Sequence, residues 1–560
     1  MKRKFLYLCI VSFIFYSDIS FSQKHEGRFR KSLDEETNEK GLIENSFTEH
    51  RPLYNSSVFV NYNITRDSSP QNETSVKISR KDPTRVVAAW RDFRRRVSPA
   101  NRKVGYSYSS DGGVSWSEGI LLDSTLLPGF PRNSDPVVGT DTAGNFYIAV
   151  ISIGGTGALA VYKSTDGGVT FPSAYLIANS GSEDKEYMET DFNPASPYCN
   201  TIYMSWTRFS TGSGIKITRS SNAGVNWTAP VNVSDNSSGG QGSDVAVGPD
   251  GEVYVSWLDG NSSNDIVKLD RSTNGGQTFS TDIDVTAGST PFIPISSSGV
   301  TFPSIGADVS NGPRRGNVYI TFCDARNGDA DIFLTRSTDK GLSWSPPVRV
   351  NDDAVGNNKL QCWPWIGVND SGFISIIYFD SRNTASNEII EAYMAHSTDG
   401  GLTFTNYKLS SQPTTTNQPN NDVRFGDYIG IDYYKNRIVP VWTDERSGGF
   451  NMECYTAIVS TPVSVTNISG IIPEKYLLKQ NFPNPFNPTT KIRYELPLSS
   501  AVTIKVYDVL GNEIRSFTNL QQNAGIYEFE FEGSSLSSGI YFYRLSTEKF
   551  SETKSMMLIK

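Results

Sequence analysis

The sequence predicts an all-β protein: a seven-bladed (alternatively six-bladed) β-propeller followed by a small Ig-like β-sandwich. Three observations carry that expectation. A turn motif, Ser-x-(Asp/Asn)-x-Gly-x-x-(Trp/Phe), is written six times, at Asp111, Asp166, Asn222, Asn274, Asp339 and Asp399, spaced 55, 56, 52, 65 and 60 residues apart. Near-even recurrence on this scale marks a repeat architecture with one supersecondary unit per copy. A second feature, an apolar-Gly strand end followed by an aromatic-x-Asp strand end, runs out of phase with the motif. It gives seven units, anchored at Ser79, Gly139, Glu189, Gly248, Gly306, Gly367 and Gly430. Past residue 462 a Pro/Asn-rich stretch gives way to a fresh set of alternating strands.

Residues 1–22 read as a secretory signal peptide: Lys2-Arg3-Lys4, an apolar run from Phe5 to Tyr16, and Ser20-Phe21-Ser22 for cleavage. The run is too short to span a bilayer, and no later segment reaches 18 apolar residues. Residues 23–55 are charged and apolar-poor, the composition of a disordered leader.

The propeller is assigned to residues 56–461. In each turn motif the Asp or Asn side chain accepts from backbone N–H groups two residues on. Gly supplies positive φ, and the aromatic ring buries itself at the start of the next strand. Strands such as Ile332-Phe333-Leu334-Thr335-Arg336 precede the turns, so each motif joins two antiparallel strands and its Asp is structural. The seventh unit lacks the motif, and Val58–Ile64 resembles the fourth strands of other units. The N-terminal strand is therefore expected to complete the last blade and close the ring. Six blades result if the second unit is not a blade.

Composition excludes several chemistries. The net charge of −8 and pI of about 5.2 argue against nucleic acid as a partner. Three histidines, two in the leader and His396 in a strand, leave no basis for a Ser-His-Asp triad or a His-ligated zinc site. No metal and no cofactor are expected. Cys199, Cys323, Cys362 and Cys454 are too sparse for a disulfide framework; a Cys323–Cys362 bridge is an option beside buried free thiols.

Up-and-down blades put the turn motifs on one face and the crossovers with the 2–3 loops on the other. Candidate chemistry on the crossover face falls in two sets. The first is Asp-x-Arg after strand two: Asp92/Arg94, Asp324/Arg326, Asp380/Arg382 and Asp444/Arg446. These are the catalytic candidates, with blade-to-blade ion pairing as the structural reading. The second, at the start of strand one, is Asp135, Glu186, Asp244, Trp363 and Asp427, assigned to ligand binding. Carboxylates, guanidinium groups and aromatic faces around one axis suit a sugar or an acidic ligand. Trp90, Trp206, Trp257 and Trp442 recur at one position and read as core.

Residues 462–479 read as a linker and 480–560 as the sandwich, with strands around Thr489–Leu496, Val502–Val509, Ile526–Phe531, Ile540–Leu545 and Lys554–Lys560.

The turn motif resembles the Asp-box, or BNR repeat, of the sialidase superfamily over roughly residues 58–461. The tail closely resembles the type-A C-terminal sorting domain of the type IX secretion system, through Gln480–Pro488, Val506-Tyr507-Asp508 and Ser538–Tyr543. These resemblances imply an exported Asp-box propeller that binds a glycan or protein at or outside the cell surface, delivered by the type IX secretion machinery. The alternative is an exo-acting, sialidase-like glycoside hydrolase using rim carboxylates and arginines. No Arg-Ile-Pro motif occurs, so an arginine triad would have to come from Arg94, Arg326 and Arg382.

Overall fold

The computed structural model describes residues 59–94, 102–153, 157–235, 240–260, 266–286, 301–416, 424–449, 451–460, 466–469, 472–511, 513–522, 524–533 and 536–560. The expected signal peptide and leader lie outside them. The described chain is all-β, with one 3₁₀ turn, Ser124–Leu126, as its single helical element.

Seven antiparallel sheets follow one another from residue 61 to 460. Six are built from consecutive strands, as in Gln71–Ile78, Val86–Asp92, Lys103–Ser109 and Ile120–Leu121 of the first sheet. The seventh borrows a strand. Asn61–Asn63 pairs antiparallel with Glu453–Ala457, outside Arg437–Asp444 and Gly430–Tyr434. First strands of successive sheets touch one another, and the first sheet touches the seventh, so the ring is closed as expected. Val58 lies outside the described residues.

Second strands read as continuous apolar runs because sheets cover both their faces. Val86–Asp92 and Ile374–Asp380 are buried at every position. Trp90, Trp206, Trp257 and Trp442 are all at or below 1% exposure, core as read from the sequence.

The turn motif folds with one correction. Asp111 Oδ1 accepts from Val114 N at 3.0 Å and Ser115 N at 2.9 Å, three and four residues on rather than two. Ser109 Oγ donates to Asp111 at 2.7 Å and accepts from Gly113 N at 2.8 Å. Asp166, Asp339 and Asp399 repeat the pattern, and Asn222 and Asn274 accept from the same fourth-residue N–H. Neighbouring sheets pin these turns through carbonyls: Lys163 to Ala223, Arg219 to Gly275, Arg271 to Lys340, Arg437 to Gly112.

Around the axis the glycine anchors allow close approach. A Cβ on Gly139 would lie 2.6 Å from Met188 Sδ, and one on Gly430 3.0 Å from Ser75 Cα. Two anchors need correction. Ser79 and Gly248 fall just past the strands Gln71–Ile78 and Gly240–Val247. The register breaks that precede Ser75 and Asp244 make Lys77 and Ala246 their structural equivalents.

Two further four-stranded sheets enclose a separate core of Ile492, Tyr494, Ile504, Val506, Phe529, Phe531, Tyr543 and Leu545. Thr489–Leu496 alternates buried and outward positions as a half-covered strand should. The linker assignment at 462–479 is corrected: Thr466–Ser469 and Leu477–Leu478 pair into this sandwich. Cys199, Cys323, Cys362 and Cys454 are free thiols, so Cys323 and Cys362 form no bridge.

Candidate functional site

Five of the seven inner strands carry a register break near their starts, between Asn72/Ser75, Ser134/Val137, Asp184/Tyr187, Gln241/Asp244 and Cys362/Trp365. At each break one residue takes left-handed φ: Glu73 (54°), Asp135 (53°), Lys185 (55°), Gly242 (67°) and Trp363 (51°); Gly426 (100°) precedes the seventh inner strand. An extra residue in one strand of a pair bends it and re-aims its side chains. Here the re-aimed side chains gather at the axis on the crossover face, away from the turn motifs.

What they gather is charge. Arg91 Nη1 pairs with Glu73 Oε1 at 2.8 Å, and Arg91 Nε donates to Asn72 Oδ1 at 2.8 Å. Lys185 reaches from the third sheet to Asp427 of the seventh. Its ammonium lies 4.6 Å from the Tyr428 ring centroid and 5.5 Å from that of Phe302, in the fifth unit. Asp184 accepts from Gln241 Nε2 at 3.2 Å. Beneath them Tyr187 packs on Trp365 (centroids 4.7 Å apart) and edge-on to Tyr428 (6.0 Å), an aromatic collar across the axis.

Carboxyls outnumber cations in this cluster, and the excess shows as protonation. Burial, with Asp135 and Asp427 and against Arg91, pushes Glu73 up to about 8. Burial and Asp135 push Asp184 up to about 7. Glu186 is 1% exposed, neither of its carboxyl oxygens has a hydrogen-bond partner, and burial drives it well above the carboxylate range. Asp135 goes the other way: burial opposes its charge, but Lys185 and Arg91 hold it below the usual value. Lys185 is raised despite burial by Asp427 and Asp135, so it stays an ammonium and cannot serve as a nucleophile.

Below the collar the inner strands enclose a cavity of about 120 Å³, lined by Lys77, Arg80, Glu189, Asp191 and Asp432 among others. Typical ligand pockets hold roughly 300–1,000 Å³, so this space suits waters rather than a sugar. Lys77 pairs with Glu189 at 2.8 Å and Arg80 with Asp432 at 2.7 Å.

The sequence-assigned ligand residues divide. Asp135, Glu186 and Asp427 belong to the axial cluster. Asp244 does not: it clamps the fifth sheet, accepting from Ile305 N at 2.9 Å and Ser304 Oγ at 3.0 Å. Trp363, 2% exposed, stacks on Phe425 (5.8 Å) and meets Phe379 edge-on (5.9 Å), which corrects its reading as a binding platform.

The Asp-x-Arg pairs stay in their own sheets. Each Asp is at most 1% exposed and closes its 2–3 loop by accepting from the Arg backbone N–H. Each Arg side chain then folds back on that carboxylate: Arg94–Asp92 (2.9 Å), Arg326–Asp324, Arg382–Asp380 (2.8 Å), Arg446–Asp444 (2.6 Å). Trp90 Nε1 and Trp442 Nε1 fill the remaining acceptor positions on Asp92 and Asp444. The Asp–Arg bonds are within sheets, not between them; Arg382 and Arg446 each add a contact to the preceding unit, at Asp352 and at Ser411 (2.8 Å). Arg94, Arg326 and Arg382 stand in the first, fifth and sixth sheets, each bound to its own Asp, and form no triad.

Sequence reasoning missed Glu73, Asp184, Lys185 and Arg91. A signal existed for two of them. Anchoring the first unit on Lys77 puts Glu73 four residues before the anchor, in the column of Asp135, Lys185 and Trp363. Among the described residues no group of His, Cys, Asp and Glu is placed to hold a metal ion.

No curated protein matches the chain. Among solved structures, a protein of unknown function from Dyadobacter fermentans is 14% identical, covering 71% of this chain and 97% of its own, with a TM-score of 0.41. The intramolecular trans-sialidase of Ruminococcus gnavus in complex with oseltamivir carboxylate is 13% identical over 55% of this chain and 89% of its own, TM-score 0.42. The leech intramolecular trans-sialidase gives 12%, 58%, 67% and 0.43. Residues 480–560 match the family described as the secretion system C-terminal sorting domain, which marks the chain for export to the cell surface or outside it by the machinery that reads that domain.

Proposed function

We propose that the chain is an exported seven-bladed propeller (residues 56–461) with an Ig-like sorting tail (480–560), whose axial cluster binds a glycan or protein ligand at or outside the cell. The preceding segments would be a signal peptide (1–22) and a leader (23–55). The observation that carries this is the left-handed backbone at Glu73, Asp135 and Lys185. Non-glycine residues there cost about 1–3 kcal/mol each, strain that clusters at ligand sites. The bent strand start recurs around the ring, but at three of its positions it carries an ionisable side chain, and those three converge at one point on the axis. Binding is favoured over hydrolysis because the eight Asp-x-Arg candidates spend their charges on each other. The opposite pulls on Asp135 and Asp184 favour a second reading, glycoside cleavage, since carboxyls with separated pKa values are how acid and base roles are divided.

The test uses the full chain on a glycan array and against fluorogenic glycosides, beside Glu73→Gln and Asp135→Asn. Binding that weakens about tenfold or more in either variant, the scale of one lost charge-assisted bond, supports the axial site. Ligand binding indifferent to both substitutions would place the site elsewhere. Turnover lost in Asp135→Asn would select the second reading.

A further inference from the structure

The outer faces of the two sandwich sheets differ in kind. On one, outward positions are charged and paired: Lys491 and Arg493 both meet Glu528. On the other, Gly539–Ser546 turns Tyr541, Tyr543 and Leu545 to the core and Ile540 and Phe542 outward, 44% and 37% exposed. Met557 (41%) stands directly across from Ile540 in the register with Ser551–Leu558, and Ile559 (49%) follows it. Tyr507, partner of Phe542 on the third strand, continues the face inward.

Half-covered strands ordinarily place polar residues outward, so contiguous outward apolar positions mark an interaction surface. Folding explains Val506, Tyr541 and Tyr543 among the residues that identify this tail; it does not explain Ile540 and Phe542. Ser551–Leu558 is an outermost strand, but its edge at the patch is covered: Phe486 N donates to Met557 O at 2.9 Å and Ile559 N donates to Phe486 O at 3.0 Å, which leaves the apolar face, not the edge, for a partner. Its far end is positive. Arg544 is exposed and donates its Nε to Thr553 Oγ1 rather than to a carboxylate.

We infer that the face formed by Ile540, Phe542, Met557 and Ile559 is the surface by which a protein component of the secretion machinery reads the tail, an apolar partner surface with carboxylates placed to meet Arg544. This rests on the sorting-domain match, not on the axial ligand, so loss of binding in Glu73→Gln leaves it untouched.

The experiment follows the full-length chain in a bacterium that runs this secretion system, comparing periplasm with cell surface and medium. The variant Ile540→Ser/Phe542→Ser/Met557→Ser should export about tenfold less or worse, as truncation of interface anchors does, and collect in the periplasm. Lys491→Ser/Arg493→Ser, on the opposite face, should export like the parent. Arg544→Glu, which leaves the apolar residues in place, should lower export in the same direction and covers the case in which the triple variant does not fold. A folded triple variant exported at parental level would overturn the inference. So would a parent dimer that the triple variant dissolves without loss of export, which would make the patch a self-association face. Binding of the purified chain to anionic vesicles that the variant abolishes, again with export intact, would make it a membrane contact.

Discussion

Six Asp and Asn residues in a series invite a catalytic reading, and their bonds refuse it. Asp339 accepts from Leu342 N, Ser343 N, Ser343 Oγ (2.5 Å) and Ser337 Oγ (2.7 Å). The Ser343 hydroxyl, ahead of Ser337 and the backbone, holds its carboxyl down to about 2. A carboxylate so occupied has nothing left for substrate. Asp339→Ala is expected to cost about 1 kcal/mol, the net worth of a solvent-exposed set of such bonds, as a shift in the urea midpoint with unchanged slope. Ligand binding should not change, because the turn and the axial cluster lie at opposite ends of the sheets; a parallel loss of binding would refute that separation. The structural role was legible in the sequence because Asp, Gly and an aromatic at fixed offsets specify a turn. The offset of the bonds was not, since the same residues are compatible with a tight Asx turn and with the wider one that forms.

At the scale of elements, the ring depends on one short strand. Asn61 ties it to two sheets at once: Nδ2 donates to Leu409 O at 2.8 Å, and Oδ1 accepts from Ser411 N at 2.7 Å and Arg446 Nη2 at 3.0 Å. Asn61→Ala strands these partners together, so a loss of about 2–3 kcal/mol is expected. Hydrogen exchange should rise first in Glu453–Ala457, the strand that Asn61–Asn63 covers; exchange unchanged there would mean that closure does not rest on this residue. The closure was legible because a missing turn motif at one end of the chain matched a spare strand at the other. The strained inner starts were not. Glu73, Asp135, Lys185, Gly242 and Trp363 share a backbone conformation and no chemistry, so no residue type announces the column. Two anchors displaced by two residues then hid Glu73 from its neighbours in it.

Across the whole molecule the same buried carboxyls set the response to pH. Glu73, Asp184 and Asp244 hold protons up to about 8, 7 and 7, raised chiefly by burial, and burial drives Glu186 well above the ordinary carboxylate range. In the unfolded chain all four lose protons in the ordinary carboxylate range. The folded state therefore binds more protons between about pH 4 and 8, and stability falls as pH rises through that window. Asp111, Asp135, Asp166, Asp339, Asp399 and Asp432 are shifted down instead, and their contribution is lost as pH falls below about 4. Thermal stability is thus expected to peak in mildly acid solution and decline on both sides, as scanning calorimetry from pH 3 to 9 would show. Glu186 isolates the alkaline limb, because it has no bond to lose. Glu186→Gln keeps shape and neutrality while removing the proton that folding must capture, so it should raise the melting temperature at pH 8 and do little at pH 4. The opposite result, a variant destabilised equally at both pH values, would mean that the Glu186 carboxyl is held by a partner inside the ring.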